Sequence, residues 1–246
     1  LSERGDIDSS VINAGRPEAI EIWNLVFIQY NRNEKGELEP LSAKHVDTGM
    51  GFDRVVAILQ GKKSNYDTDL FQPVIRRIEE LTGKRYASAV ISDFGLSTTL
   101  RVDRLVERKA DLNVQSQIDV AMRVIADHIR PLTFAIADGA IPSNEGRGYV
   151  LRRILRRASR FGRNLDMHEP FIYQLVPTLV STMGDAYPEI RAKQTLIEQV
   201  IKGEEEGFNQ TLDRGLEIFE SVVTRIGHSK VFPGEDAFKL YDTYGF

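Results

Sequence analysis

The spacing of apolar positions changes character near residue 70, from strand-like runs to the three-and-four spacing of helices. Glu18–Tyr30 carries Ile20, Ile22, Trp23, Leu25, Val26, Phe27 and Ile28. This β-branched and aromatic run predicts a largely buried strand, entered from a helical turn. Asn31–Gly36 is turn chemistry, and Glu37–Leu41 and Lys44–Thr48 read as a short extended pair. Strands joined by a turn predict an antiparallel sheet. Val55–Gln60 is apolar enough for one or two helical turns. Residues 70, 71, 74, 75, 78 and 81 then predict a helix over 70–81, stopped by Gly83.

The remainder reads as mainly helical. Lys84–Asp119 lacks a clear period and is expected to be a partly helical insertion. Val120–Ala137 has strong helical spacing, broken or kinked at Pro131. From Tyr149 a helix places Val150, Leu151, Ile154, Leu155 and Ala158 on one face. Phe171–Met183 is a helix interrupted by Pro177. Ile190–Ile226 forms one or two helices, with Gly203, Gly207 and Gly215 as weak points and Glu204–Glu206 as a solvated acidic face. The fold class is α+β: antiparallel sheet within residues 1–70, then a mainly helical domain over 71–246. Residues 1–17 are polar and read as loop.

Val46–Arg54 concentrates chemistry, with Asp47, Gly49, Gly51 and Arg54 within nine residues. Glycine lacks a Cβ, so main chain at Gly49 and Gly51 can lie against a ligand. Arg54 opens a helix with a fork of donors suited to a phosphate, and Asp47 can take an ammonium. G-x-G with a nearby arginine also occurs in ordinary turns, so the nine residues alone do not define a site. Asn24 is an amide inside an apolar strand and needs a partner, which a ligand could supply. Trp23 reads as core.

A second concentration lies at 147–163, where seven arginines occur in seventeen residues with no acid among them: Arg147, Arg152, Arg153, Arg156, Arg157, Arg160 and Arg163. A plain solvated helix face mixes in acids for i,i+4 pairs. An all-arginine face instead fits the phosphate backbone of a nucleic acid, which such contacts position without reading its sequence. Asp67 and Asp69 read as helix-capping charges. Asp127–His128 reads as a structural pair, and His45, His168 and His228 as structural residues. No His-x-x-x-His spacing or cysteine cluster is present, so no zinc site is expected in this chain.

Composition narrows the class. The 246 residues are 41% hydrophobic and 28% charged, as in water-soluble globular proteins. No eighteen-residue apolar run predicts a membrane span. The absence of cysteine excludes a disulfide framework and a thiolate nucleophile, and favours the cytoplasm. A net charge of −4 leaves room for a local basic face. The N-terminus is no signal peptide and lacks an initiator Met, so an excised fragment is expected.

Val46–Arg54 resembles motif 3 of the class II aminoacyl-tRNA synthetases, in the form found in the alanyl-tRNA synthetase family. Five further blocks resemble that family in the same order: Glu21–Arg32, Ser64–Phe71, Arg123–Arg130, Pro142–Arg153 and Leu240–Phe246. The resemblance implies activation of alanine by ATP with Mg2+ to alanyl-adenylate, then transfer to the 3′ end of the tRNA for alanine. It implies Asn24 and Asp47 on the alanine ammonium, Val26 near its methyl and Gly49 as close backbone wall. Gly51 and Arg54 would bind ATP, and Arg54 and Asp47 would be the catalytic pair. Asn144 and Asp242 would read the G3·U70 wobble pair of the acceptor stem, with Arg147, Arg152, Arg153, Arg156, Arg157 and Arg160 on its backbone. Asp53 stands where the family more often has Glu. The family's motifs 1 and 2 would precede residue 1, and its editing domain and zinc site would follow residue 246. The alternative is a non-catalytic RNA-binding helical module. By itself, this chain is expected not to aminoacylate; alanine-dependent pyrophosphate exchange by the purified chain would contradict this.

Overall fold

In the computed structural model, the backbone is described for residues 20–87, 102–227 and 231–244, and side chains for these except 102–112 and 242. The expected loop at 1–17 and the residue His228 lie outside the described residues. The chain packs as two units, Leu1–Thr68 and Asp69–Phe246.

The first unit is built on a hairpin of β1 (Trp23–Arg32) and β2 (Leu38–Met50), paired antiparallel. Asn33 makes the turn. Its Oδ1 accepts from the amides of Lys35 and Glu37 at 3.0 and 2.9 Å, and its Nδ2 donates to the carboxylates of Glu37 and Glu39. Gly36 supplies the left-handed residue, with φ of 83°. The two extended pieces expected at 37–41 and 44–48 do not pair with each other. Both belong to β2 and pair with β1, because the register jumps between them: Ile28 faces His45 and Tyr30 faces Pro40. The extra β2 residues bulge out, which is where sequence reading saw a break.

The expected burial of β1 is not found. Every β1 residue is exposed, Trp23 at 55% and Phe27 at 68%. Among the described residues the sheet has two strands, and neither face carries a packed layer of its own. Trp23 is therefore not core; its Nε1 donates to Thr48 Oγ1 at 2.6 Å. The hairpin runs into α1 (Phe52–Leu59), and a short 3-10 turn follows at Asn65–Asp67, capped by Ser64.

The second unit is helical. Its members are α2 (Gln72–Thr82), α3 (Val102–Ala137), α4 (Gly146–Arg163), α5 (Val176–Met183), α6 (Pro188–Ala192), α7 (Gln194–Ile226) and α8 (Gly234–Tyr244). The α2 helix ends at Gly83 as its spacing implies. The position before its first turn is Phe71, whose side chain makes no cap hydrogen bond, and Asp69 lies two residues upstream of it. The central helix is α3, which packs on α2, α4, α5, α6 and α7. Ala121, Met122, Ile125, Ala126, Ile129, Leu132 and Ile136 are buried on it at helical spacing.

Pro131 does not break α3. It faces outward, where the lost backbone donor and the ring fall on the solvent side. Pro177 does not interrupt a helix either. It lies in the first turn of α5, where a missing N–H costs nothing, behind a 3-10 turn at Ile172–Leu175. The glycines of α7 do not divide it, and it runs for 33 residues.

Glycines at two helix positions should respond oppositely to alanine. At Gly162 a Cβ would sit 2.6 Å from Phe171 Cε1 in the core, so Gly162→Ala should destabilise by about 1–3 kcal/mol. At Gly203 a Cβ meets nothing within 4 Å, so Gly203→Ala should stabilise by about 0.5–1 kcal/mol. Urea unfolding of both variants checks the pair, and effects of the same sign would contradict this packing.

Candidate functional site

The expected amino-acid site falls on one face of the hairpin. Directly opposed residues in an antiparallel pair point the same way, and successive residues alternate. Asn24 faces Gly49 and Val26 faces Asp47 in alternate rungs, so these four share a face, with Ile28 and His45 two rungs further on. The Trp23–Thr48 hydrogen bond belongs to the opposite face. Opposite Asn24, a Cβ at Gly49 would meet nothing within 4 Å, leaving open space beside the amide.

Glu21 joins this group, a residue to which the sequence pattern alone assigned no role. Its two carboxylate oxygens each accept from Asn24 Nδ2 at 3.4 Å, and its backbone carbonyl accepts from Arg54 Nη1. Gly51 links the same parts: its amide donates to the Ile22 carbonyl at 2.9 Å, and its bare Cα sits against the Arg54 side chain. Glycine at 51 thus makes room for Arg54 itself. The guanidinium keeps further donors beyond the one bound to Glu21, since arginine carries five. The only local signal for Glu21 was its place three residues before Asn24.

The second site surrounds α4. The loop ahead of the helix lies directly on its first turn, because a Cβ at Gly148 would sit 2.1 Å from Ser143 Oγ and 2.4 Å from the Ile141 carbonyl. Ser143 Oγ donates to the Glu145 carbonyl at 3.0 Å. Asn144 is exposed on this loop, and its Oδ1 accepts from Arg152 Nη1. Leu151, Leu155 and Ala158 are buried as expected, but Val150 is 55% exposed beside the exposed Tyr149.

The arginines of α4 divide into two rows. Arg152, Arg156 and Arg163 face α7. Arg152 Nη2 donates to Glu204 Oε2 at 2.9 Å and its Nε lies 2.7 Å from Oε1. Arg156 Nε lies 3.6 Å from the same oxygen, and its guanidinium sits 5.2 Å from the Phe208 ring centre. Arg163 donates to Asp213 at 2.7 Å and contacts His168 Nδ1. Between them, Ser159 Oγ donates to Asn209 Oδ1 at 2.9 Å. Contacts rise together along both helices, so α4 and α7 run parallel. Arg147, Arg153, Arg157 and Arg160 are exposed, and among the described residues no ion pair holds them. Arg153 lies 5.8 Å from the Tyr149 ring centre.

Glu204–Glu206 is therefore not a solvated face. Consecutive residues on a helix point about 100° apart, so a three-residue run reaches different surroundings. Glu204 meets the arginines and Glu206 lies 3.8 Å from Lys202. Glu205 is 1% exposed, and its oxygens accept from the amides of Phe171 and Ile172 at 3.0–3.2 Å. Burial pushes its carboxyl up to about 7, against the lowering effect of those two amides. The acids that pair the arginines were invisible from the sequence, since Glu204 and Asp213 lie some fifty residues downstream.

The Asp127–His128 pair is present at 3.0 Å. Asp242 lies on α8, and its side chain is outside the described residues. No group of three or more His, Asp or Glu among the described residues could hold a metal ion. No helix among them is long and apolar enough to cross a membrane.

An antiparallel hairpin followed by a helical unit makes the chain α+β. A family model described as tRNA synthetases class II (A) matches residues 3–246, and the chain belongs to that family. It is 52% identical over 238 residues to the alanine–tRNA ligase of Chlorobium chlorochromatii, covering 96% of this chain and 24% of that protein. The ligase of Parabacteroides distasonis is 50% identical over 97% of this chain and 25% of its own length. That of Porphyromonas gingivalis is 48% identical over 99% and 25%. The chain spans about a quarter of the length of these relatives.

Glu205 makes stability depend on pH. Its carboxyl titrates near 4.5 when unfolded and about 7 when folded, so between these values the native state holds the proton and the unfolded state does not. Its contribution is fully present below 4.5 and is lost as pH rises through about 7, on the order of 3 kcal/mol. Glu205→Gln should flatten that decline in urea midpoints between pH 5 and 8; an unchanged slope would contradict the assignment.

Proposed function

We propose that this chain is the section of an alanine–tRNA ligase that carries part of the amino-acid and ATP site and the acceptor-stem face. The observation that carries the substrate half is the shared face of Asn24, Val26, Asp47 and Gly49. A carboxylate and an amide beside an open glycine and a small apolar side chain suit an amino acid with an ammonium and a methyl group. Asp47 neutralises the ammonium, Asn24 fixes its direction through Glu21, and Val26 contacts the methyl. Arg54, one helical turn beyond Gly51, places its guanidinium on a terminal phosphate of ATP. There it stabilises the charge that builds on pyrophosphate as an alanine carboxylate oxygen attacks the α-phosphorus. A ribose hydroxyl at the 3′ end of the tRNA then attacks the activated carbonyl and AMP leaves. Mg2+ supplies charge neutralisation on the phosphates when ATP is bound; the described residues do not form a metal-ligand cluster for it.

For the tRNA, the support is the outward row of Arg147, Arg153, Arg157 and Arg160, which α7 does not engage. These residues sit on the phosphate backbone of the acceptor stem. Asn144 and Asp242 read the G3·U70 pair. Arg152 and Arg156, expected as backbone contacts from sequence, are instead engaged by Glu204 and are left out of the footprint. The reading places the protein in the cytoplasm, with no membrane partner. A purely RNA-binding module is disfavoured, because the matched relatives are ligases.

An acceptor-stem hairpin with G3·U70 should bind more tightly than one with G3·C70, and both should weaken steeply with salt. Arg153→Ala and Arg157→Ala should each flatten the plot of log affinity against log salt by about one, without changing the preference. Fluorescence anisotropy at four salt concentrations reads both quantities. Failure of the folded chain to bind either hairpin would overturn the acceptor-stem assignment.

A further inference from the structure

Asn144 is exposed two residues before the start of α4, yet its amide is held by a hydrogen bond. An amide has an accepting and a donating end, and an untethered Asn side chain can present either to a base. Here Arg152 Nη1 donates to Oδ1 of Asn144, which occupies the accepting end and turns the amino group away from Arg152. Arg152 has a long, rotamer-rich side chain and holds that position only if something holds Arg152.

Glu204 does so. One oxygen accepts from Nη2 at 2.9 Å, and the other lies 2.7 Å from Nε as an ion pair without a hydrogen bond to it, both on the edge of the guanidinium away from Nη1. The charge-assisted hydrogen bond and the close ion pair together hold the guanidinium beside Glu204. Both side chains are largely screened from solvent, at 21% and 15% exposure, so the pair is weakly screened by salt. Glu204 is itself anchored on α7, whose next residue, Glu205, is buried against the Phe171 and Ile172 amides. A continuous chain therefore runs from α7 through Glu204 and Arg152 to the exposed amide.

We propose that Glu204 is a positioning residue for base-pair discrimination, acting through Arg152 to hold Asn144 with its amino group outward, toward an acceptor atom on a base edge of an RNA helix. The proposal rests on the reading of Asn144 as the residue facing the G3·U70 pair. Glu204 touches no RNA; it narrows the orientations of the residue that does. Gln at 204 keeps the size of the side chain but loses its charge, so the ion pair that holds Arg152 is lost and at most a neutral hydrogen bond remains.

The test measures affinity for the G3·U70 and G3·C70 hairpins with wild type, E204Q, N144A and the double variant, each with its melting temperature. E204Q should cut the ratio of the two affinities at least fivefold. Affinity for the G3·C70 hairpin should stay within twofold and the salt slope should not change, because the outward arginine row is intact. In the N144A background E204Q should change the ratio no further, since both act through one amide. E204D should recover part of the ratio, whereas a merely structural role would move both affinities together.

An unchanged ratio in E204Q overturns the proposal, as does a ratio that falls as far again in the N144A background. Wild-type protein that binds both hairpins equally overturns the reading of Asn144 and this proposal with it. Wild type that discriminates while E204Q does too overturns this proposal alone. If E204Q does not fold, R152K serves under the same criteria: lysine keeps the charge but cannot span Asn144 and Glu204 together.

Discussion

The polar seam between α4 and α7 is the constraint on which the helical unit depends. Along it, Arg152 and Arg156 meet Glu204, Ser159 meets Asn209 and Arg163 meets Asp213. Half-buried charges are costly to desolvate and tolerate little misalignment, so such a seam selects one register of the two helices more than it adds stability. A sliding error of one turn would move Glu204 away from Arg152 and leave half-buried guanidinium groups unpaired. With the register set, the apolar residues Leu151, Leu155 and Ala158 of α4 and Phe208 and Leu212 of α7 close the core beneath it.

The seam also sorts the arginines. A helix carrying only positive charge would repel itself, and the acids on α7 relieve that repulsion on one side. Two guanidinium groups share Glu204, so compensation is incomplete and the neighbourhood stays positive. The other side keeps Arg147, Arg153, Arg157 and Arg160 toward solvent. One helix thus serves both as a packing element and as a basic surface, and the loop before it, held close by the bare Cα of Gly148, is carried at the edge of that surface.

The hairpin follows a different logic. Its apolar side chains are exposed on both faces, so backbone pairing, the Asn33 turn and the Trp23–Thr48 bond supply its local order. Period-two alternation still delivers four chemically complementary residues to one face. Sequence reading recognised these residues one at a time, from blocks resembling the family. It could not tell that they share a face, because the register jump between Ile28 and Tyr30 is a property of the pairing. The same jump made one strand look like two.

What the chain determined locally was the period of its apolar residues, the stop at Gly83, the α+β order and the composition of the Val46–Arg54 and Arg147–Arg163 stretches. These follow from interactions within a few residues, which sequence spacing states directly. Tertiary structure alone decided which arginines are engaged and which face outward, that Glu205 is buried beside an ion-paired Glu204, and that Pro131 lies where α3 tolerates it. Each depends on what a second element, tens of residues away, brings alongside. Charge and burial are properties of surroundings, and for a side chain on one helix those surroundings are supplied mostly by another.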